Sequence, residues 1–303
     1  MSRFYVPLLL LLAAIWGASF MFIKVANRDF EPWTMMFFRL LIAALIMWGV
    51  LIGQRGTAGA VADVRRLGWA GLLLGVANGA IPFTLIAWGE THVDSGVAAI
   101  ANASMPIFVA LFALRYVRQE RSSGVRLLGV VVGLLGVAVL AGVNPRGGWW
   151  AAAGTLAVIL ASISYAGSSL WAQDLVSRTT PLALVTSTMT GGALVLLPLG
   201  LAELPAGLPG WKELGSVLAL AVLGTAIGQL IYYRLVATDG SARASLVTYL
   251  LPVTALFYGV TLLDEPLTVA ELVGLVLILG GVALGSGVVR LTRRETAPAA
   301  PTP

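Results

Sequence analysis

The sequence predicts an all-α integral membrane protein, with ten transmembrane helices arranged as two inverted five-helix repeats around a central cavity. Composition is the first reason. Hydrophobic residues make up 58% of the 303 residues and charged residues only 11%, with a mean hydropathy of +0.92, too apolar for a soluble domain of this size. Segmentation is the second. A spanning helix needs about 20 mostly apolar residues, and such stretches fall at roughly 6–26, 34–52, 68–88, 93–116, 124–142, 150–172, 182–201, 213–234, 242–263 and 269–289. The connections between them are short and leave no room for a soluble domain.

The third reason is a register of matched residues between the halves. Trp16-Gly17-Ala18-Ser19, Pro32 and Ala44-Leu45 recur as Tyr165-Ala166-Gly167-Ser168, Pro181 and Ala193-Leu194 at an offset of 149. Ala80-Ile81, Ser95 and Pro106 meet Ala226-Ile227, Ser241 and Pro252 at 146. Gly129, Gly136 and Glu120 meet Gly274, Gly281 and Glu265 at 145. Single matches of Gly or Ala mean little, but an unbroken order with a slowly drifting offset marks a duplication. Because each copy holds an odd number of spans, the second runs through the membrane upside down. The expected units are a first repeat over 1–145, a second over 146–290 and a disordered cytoplasmic tail over 291–303, rich in Pro and Ala.

Charge sets the orientation. Of the 19 Lys and Arg residues, fourteen lie at the termini or in the even-numbered connections, whereas only Arg28, Arg146 and Lys212 lie on the opposite face. Basic residues of short connections stay cytoplasmic, which predicts both termini in the cytoplasm. The same distribution accounts for a pI near 9.9 without nucleic acid. The chain has no cysteine, which excludes disulfides, thiolate catalysis and cysteine metal sites.

Taken in chain order, span one carries Trp16, Ser19 and Lys24. It is retained as a span rather than a cleaved leader because cleavage after Ala18-Ser19 would remove most of a helix whose repeat mate survives. Lys24, near the outer end, is expected to snorkel to the membrane surface. Span two holds Arg39, five or six residues inside, able to pair with Glu31, cap carbonyls or attract an anion. In span three Pro82 lacks a backbone N–H and so frees the carbonyl of Asn78. Glu90, His92 and Asp94 follow in a short connection expected to meet water. In span four Pro106 frees the carbonyl of Asn102, and in span nine Pro252 frees that of Thr248. Freed carbonyls beside amide or hydroxyl groups are tolerated at membrane depth only where protein or a water-filled cavity covers them. Asn78, Asn102 and Thr248 are therefore candidate cavity residues, or else bond to neighbouring helices or to their own freed carbonyls. Phe83 and Tyr249 adjoin them. Span five brings Gly129, Gly133 and Gly136 to a face open to helix contact within or between chains.

Span six repeats the polar cluster of span one as Tyr165 and Ser168, with Ser162, Ser164 and Ser169 close by, of which Ser162 and Ser169 are expected to serve helix packing. Trp16 and Tyr165 lie well inside their spans, whereas Trp33, Trp149, Trp150 and Trp211 flank spans as an aromatic belt would. In span eight Gly228 replaces a proline at the mate of Pro82 and precedes Gln229; glycine also loosens a helix. The candidate binding residues are thus Trp16, Ser19, Asn78, Phe83, Asn102, Tyr165, Ser168, Gln229, Thr248 and Tyr249, with hinges at Pro82, Pro106, Gly228 and Pro252. No catalytic residue, metal ligand or cofactor is indicated.

The elements Trp16-Gly17-Ala18-Ser19-Phe20, Phe37-Phe38-Arg39-Leu40 and Asp264-Glu265-Pro266, with the proline-centred fourth and ninth spans, resemble the EamA-type members of the drug/metabolite transporter superfamily. The resemblance covers nearly the whole chain and is strongest to bacterial exporters of amino acids and related metabolites, the aromatic amino acid exporters among them. It implies a bundle with a central cavity lined by spans one, three, four, six, eight and nine. Small multidrug relatives carry a glutamate in span one for exchange of protons against lipophilic cations. This chain has none there.

The expected function is export of hydrophobic or aromatic amino acids and related small metabolites across a bacterial inner membrane, by alternating access around a midplane site. An apolar pocket with a few amides and hydroxyls suits such solutes. The expected partners are the small-molecule substrate and the bilayer, with no nucleic acid and no obligatory protein partner. A permease for sugars, nucleosides or other polar metabolites would need a more polar cavity. A membrane enzyme would need a cluster of His, Asp or Glu, which one histidine and the Asp264-Glu265 turn do not supply.

Overall fold

Apolar stretches without enough polar partners in a bilayer must satisfy their backbone internally, and they fold here as helices. A computed structural model describes residues 4–116, 124–142, 148–176, 179–239 and 247–285, and among them there is no strand. The expected tail, the start of the predicted ninth span and the connection around Glu120 lie outside the described residues.

Helix α1 spans Tyr5–Ala26. Helix α2 spans Pro32–Gly75, opened by Pro32 where a missing N–H costs nothing. It is divided by Gly56 (φ 69°) and Gly68 (φ 53°), left-handed positions that glycine adopts without penalty. The piece between them, 57–67, replaces the loop expected between spans two and three, and Asp63 holds Arg55 at 3.0 Å and Arg66 at 3.8 Å there. A π turn over Val76–Ala80 leads into α3, Ile81–Gly89. Helix α4, Ser95–Asn102, and α5, Met105–Tyr116, are separated at Ala103-Ser104, two residues before Pro106.

Then come α6 (Gly124–Gly142) and α7 (Gly148–Val176), and α8 (Pro181–Ala202), whose start is capped by the Thr180 hydroxyl accepting from Ala183 N. Helix α9 (Trp211–Ala219) passes through a second π turn, Leu220–Ile227, into α10 (Gly228–Asp239). The last two are α11 (Val247–Leu262) and α12 (Val269–Gly285). Helix α11 runs unbroken through Pro252, so the pairing of Pro106 with Pro252 is kept in sequence and not in backbone shape. Among the described residues, five helical segments are long and apolar enough to cross a membrane, and shorter apolar helices accompany them.

Without a hydrophobic drive between helices in lipid, close packing depends on small residues. The second half of α2 lies against α8, where Gly71 and Gly75 meet Ser187 and Thr188, and Gly191 meets Leu72. Helices α6 and α12 meet at Gly133 and Gly281, with Gly136 against Ile278. The glycine face of span five is thus closed within one chain. Gly17 of α1 abuts Thr254 of α11, whose hydroxyl donates to Ala13 O at 3.0 Å. Leu40, Met36, Leu74, Ile100, Leu184, Met189 and Leu220 are fully buried in one core fed by both halves.

Candidate functional site

The two π turns occupy matched places, since an offset of 146 carries Val76–Ala80 into the segment Leu220–Ile227. A π turn inserts a residue into the helical ladder and leaves carbonyls without their ordinary partners. Ahead of Pro82 it absorbs the missing N–H. At the mate of Pro82 stands Gly228, against which the Trp16 indole is pressed too closely for a β-carbon.

The freed groups are satisfied across the repeats. Ser164 of α7 donates to Ala77 O at 2.6 Å, and Trp16 of α1 donates through Nε1 to Gly224 O at 2.9 Å. Thr225 closes its own wide turn by donating to Leu220 O at 2.9 Å. Ser168 donates to Asn78 Oδ1 at 3.0 Å. Its mate Ser19 faces Gly224, the mate of Asn78, and with no amide there donates instead to Ile15 O at 3.2 Å. Trp16→Phe, which keeps the ring and loses the donor, is expected to cost about 1–3 kcal/mol for the orphaned carbonyl, read as a lower thermal midpoint in detergent.

Beside Ser19 and Gly224 lies Arg39, only 5% exposed. Its Nε donates to Thr225 Oγ1 at 2.8 Å, its Nη1 reaches Met36 Sδ at 3.8 Å, and its Cζ stands 3.9 Å over the Phe83 ring. The Phe83 and Tyr165 rings meet edge to face at 6.3 Å, with the Tyr165 phenol in electrostatic reach of the guanidinium. Glu31 does not pair with Arg39; among the described residues no carboxylate lies within salt-bridge distance of it. A buried cation held by a hydroxyl and an aromatic face is a ready partner for an anionic group.

The predicted residues therefore separate. Trp16, Ser19, Phe83 and Tyr165 surround Arg39 and the second π turn, with Tyr232 packed on Trp16 at 5.5 Å, while Asn78 and Ser168 pair at the first. Asn102 belongs to a different contact: the Ser162 hydroxyl lies 3.3 Å from Asn102 O, 3.4 Å from Asn102 Oδ1 and 3.1 Å from its own Val158 O. Gln229, Thr248 and Tyr249 are half-buried on α10 and α11. Ser19, Phe83 and Ser168 are as buried as Arg39, so the site is closed in this conformation.

Two expectations at the ends of spans are corrected. Lys24 does not snorkel: its Nζ donates to Glu90 O at 2.9 Å and Val93 O at 2.6 Å, pinning the turn after α3 because the chain folds back over it. Glu90 consequently does not meet water and is fully buried. Glu265 does more than make a turn, since its carboxylate accepts from Ser95 N at 2.9 Å, Ser95 Oγ at 2.6 Å and Gly96 N at 3.4 Å. It caps α4 and complements the positive helix start. Glu265→Ala is expected to lower stability by about 1–2 kcal/mol, measured by thermal unfolding of the detergent-solubilised protein, with Ser95→Ala giving a smaller loss.

The sequence profile of the EamA-like transporter family matches this chain twice, over residues 3–142 and 152–287. The chain belongs to the EamA-like transporter family. It is 27% identical over 279 residues to an uncharacterized transporter of Archaeoglobus fulgidus, covering 90% of this chain and 95% of that one. It is 26% identical to the uncharacterized inner membrane transporter YedA of Escherichia coli K12, covering 89% and 86%, and 28% identical to the uncharacterized transporter YdfC of Bacillus subtilis, covering 90% and 87%. A solved crystal structure shares the fold with a TM-score of 0.66 at 16% identity, over 95% of this chain and 98% of its own. The EamA-like protein is thus a multi-pass membrane transporter.

Proposed function

We propose that this transporter exports hydrophobic or aromatic amino acids and related small carboxylates, with Arg39 receiving the carboxylate. Burial of Arg39 without an acidic partner among the described residues carries this reading. The guanidinium presents a planar fork suited to a carboxylate, and Phe83, Tyr165 and Trp16 form the apolar surroundings that a hydrophobic side chain requires. Wide turns at matched places in the two repeats supply hinges around which the closed site opens to either side. The bias of Arg and Lys towards the termini and even-numbered connections favours an inner-membrane orientation with cytoplasmic termini.

Proteoliposomes of the purified protein test the reading. Labelled phenylalanine or leucine is expected to be taken up and to be displaced by unlabelled amino acid, whereas phenethylamine, which keeps the ring and lacks the carboxylate, competes poorly. Equal competition by the amine would remove the carboxylate from recognition.

A further inference from the structure

We infer that Glu90 is a proton-binding site of this transporter, filled in the conformation described and emptied when the 90–94 corner opens to water. Both carboxyl oxygens of Glu90 are buried without a hydrogen-bond partner, and so is Asn27 Oδ1, whose amide nitrogen donates to Ala87 O at 2.8 Å one turn before Glu90. A carboxylate in that setting has lost its water and gained no donor, and the neutral acid is the form such a site accommodates.

The charged groups around it act unequally. Burial pushes the Glu90 carboxyl well above the usual carboxylate range; Lys24 of α1 pulls it back, Glu265 of the turn before α12 adds to the rise, and Arg39 of α2 opposes it. Asp94 and Glu271 add negative charge next to Glu265. Lys24 spends its ammonium on the carbonyls of Glu90 and Val93 rather than on the carboxyl. With those carbonyls taken, a metal cation would be left with the carboxyl oxygens and Asn27 Oδ1, short of the six or more oxygens of a hard-cation shell, whereas a proton needs one. Water is close: Asn27, Trp88 and Thr91 line an open pocket of about 380 Å³.

The sign follows from the raised value. Between the ordinary carboxylate range and Glu90's own, the closed corner binds a proton that an open, solvated corner would release. Raising the pH through that window therefore favours opening, and acid favours closure.

The absence of cysteine allows a unique thiol at Val93→Cys, a buried position in this corner, to be labelled with a maleimide over a range of pH in detergent. The thiol's own ionisation is cancelled by dividing each rate by that of the same thiol in an E90Q background, the isostere of the neutral acid. The ratio is expected to rise about tenfold from mildly acid to alkaline pH, the equivalent of one pKa unit of difference between the two conformations. A flat ratio overturns the proposal, and so does suppression of the alkaline rise by sodium in place of choline. Infrared spectroscopy of the cysteine-free protein is the second measurement and does not depend on the folding of Val93→Cys. The carbonyl stretch of a neutral carboxyl should be present at neutral pH and diminished in E90Q; an unchanged band overturns the assignment. Neither measurement needs a substrate, so they stand or fall separately from the amino-acid reading.

Discussion

Arg39→Gln is expected to reduce uptake of labelled phenylalanine by roughly two orders of magnitude while the protein still folds. Truncating one partner of a buried, hydrogen-bonded charge pair costs about 2–5 kcal/mol, and each 1.4 kcal/mol is about tenfold in binding. Glutamine retains a donor for Thr225 Oγ1, which now receives Arg39 Nε at 2.8 Å, but loses the charge over Phe83. Arg39→Lys is expected to recover only part of the loss, since an ammonium cannot hold Thr225, a carboxylate and the ring face in one plane. Saturation curves in proteoliposomes would place the defect chiefly in apparent affinity. Unchanged uptake by Arg39→Gln would remove this residue from substrate recognition.

Gly75→Ala is expected to have the largest effect on folding. A methyl group there would fall inside the van der Waals shell of the Thr188 carbonyl, and backbone, unlike a side-chain tip, does not swing aside. Overpacking of this kind costs about 1–3 kcal/mol or more, and in a bilayer no hydrophobic drive offsets it. Lower yield of monodisperse protein and a lower thermal midpoint by size-exclusion chromatography after heating should both appear. Gly49→Ala is the control, because nothing lies within 4 Å of the added carbon. Equal midpoints for the two variants would show that α2 and α8 part without penalty.

Much of this was legible in the sequence, because duplication writes itself as a register. The offset of 146 already tied Pro82 to Gly228, and the backbone there proved to be a π turn in both halves. The turn itself left no mark in composition: an inserted residue changes which carbonyl meets which N–H, while the side chains still read as an apolar helix. Pro252 carried the opposite lesson, since α11 continues through a proline that its mate Pro106 follows after a break. Glu90 was misread because a charged residue in a five-residue connection ordinarily faces water. The reach of Lys24 across 66 positions to the Glu90 carbonyl ties that connection inward. The glutamate cap at Ser95 leaves its trace in the acid of Asp264-Glu265-Pro266, but the helix start it reaches lies 170 positions away and only the fold brings the two together.

The exchange of donors between halves ties each π turn to the other half of the chain. Trp16 donates into the π turn of the second half and Ser164 into that of the first, so each half, made alone, would leave a carbonyl of its own π turn without that donor. An indole donates on one side and a hydroxyl on the other, so the two turns are held by bonds of different chemistry and a single substitution can weaken one while leaving the other intact.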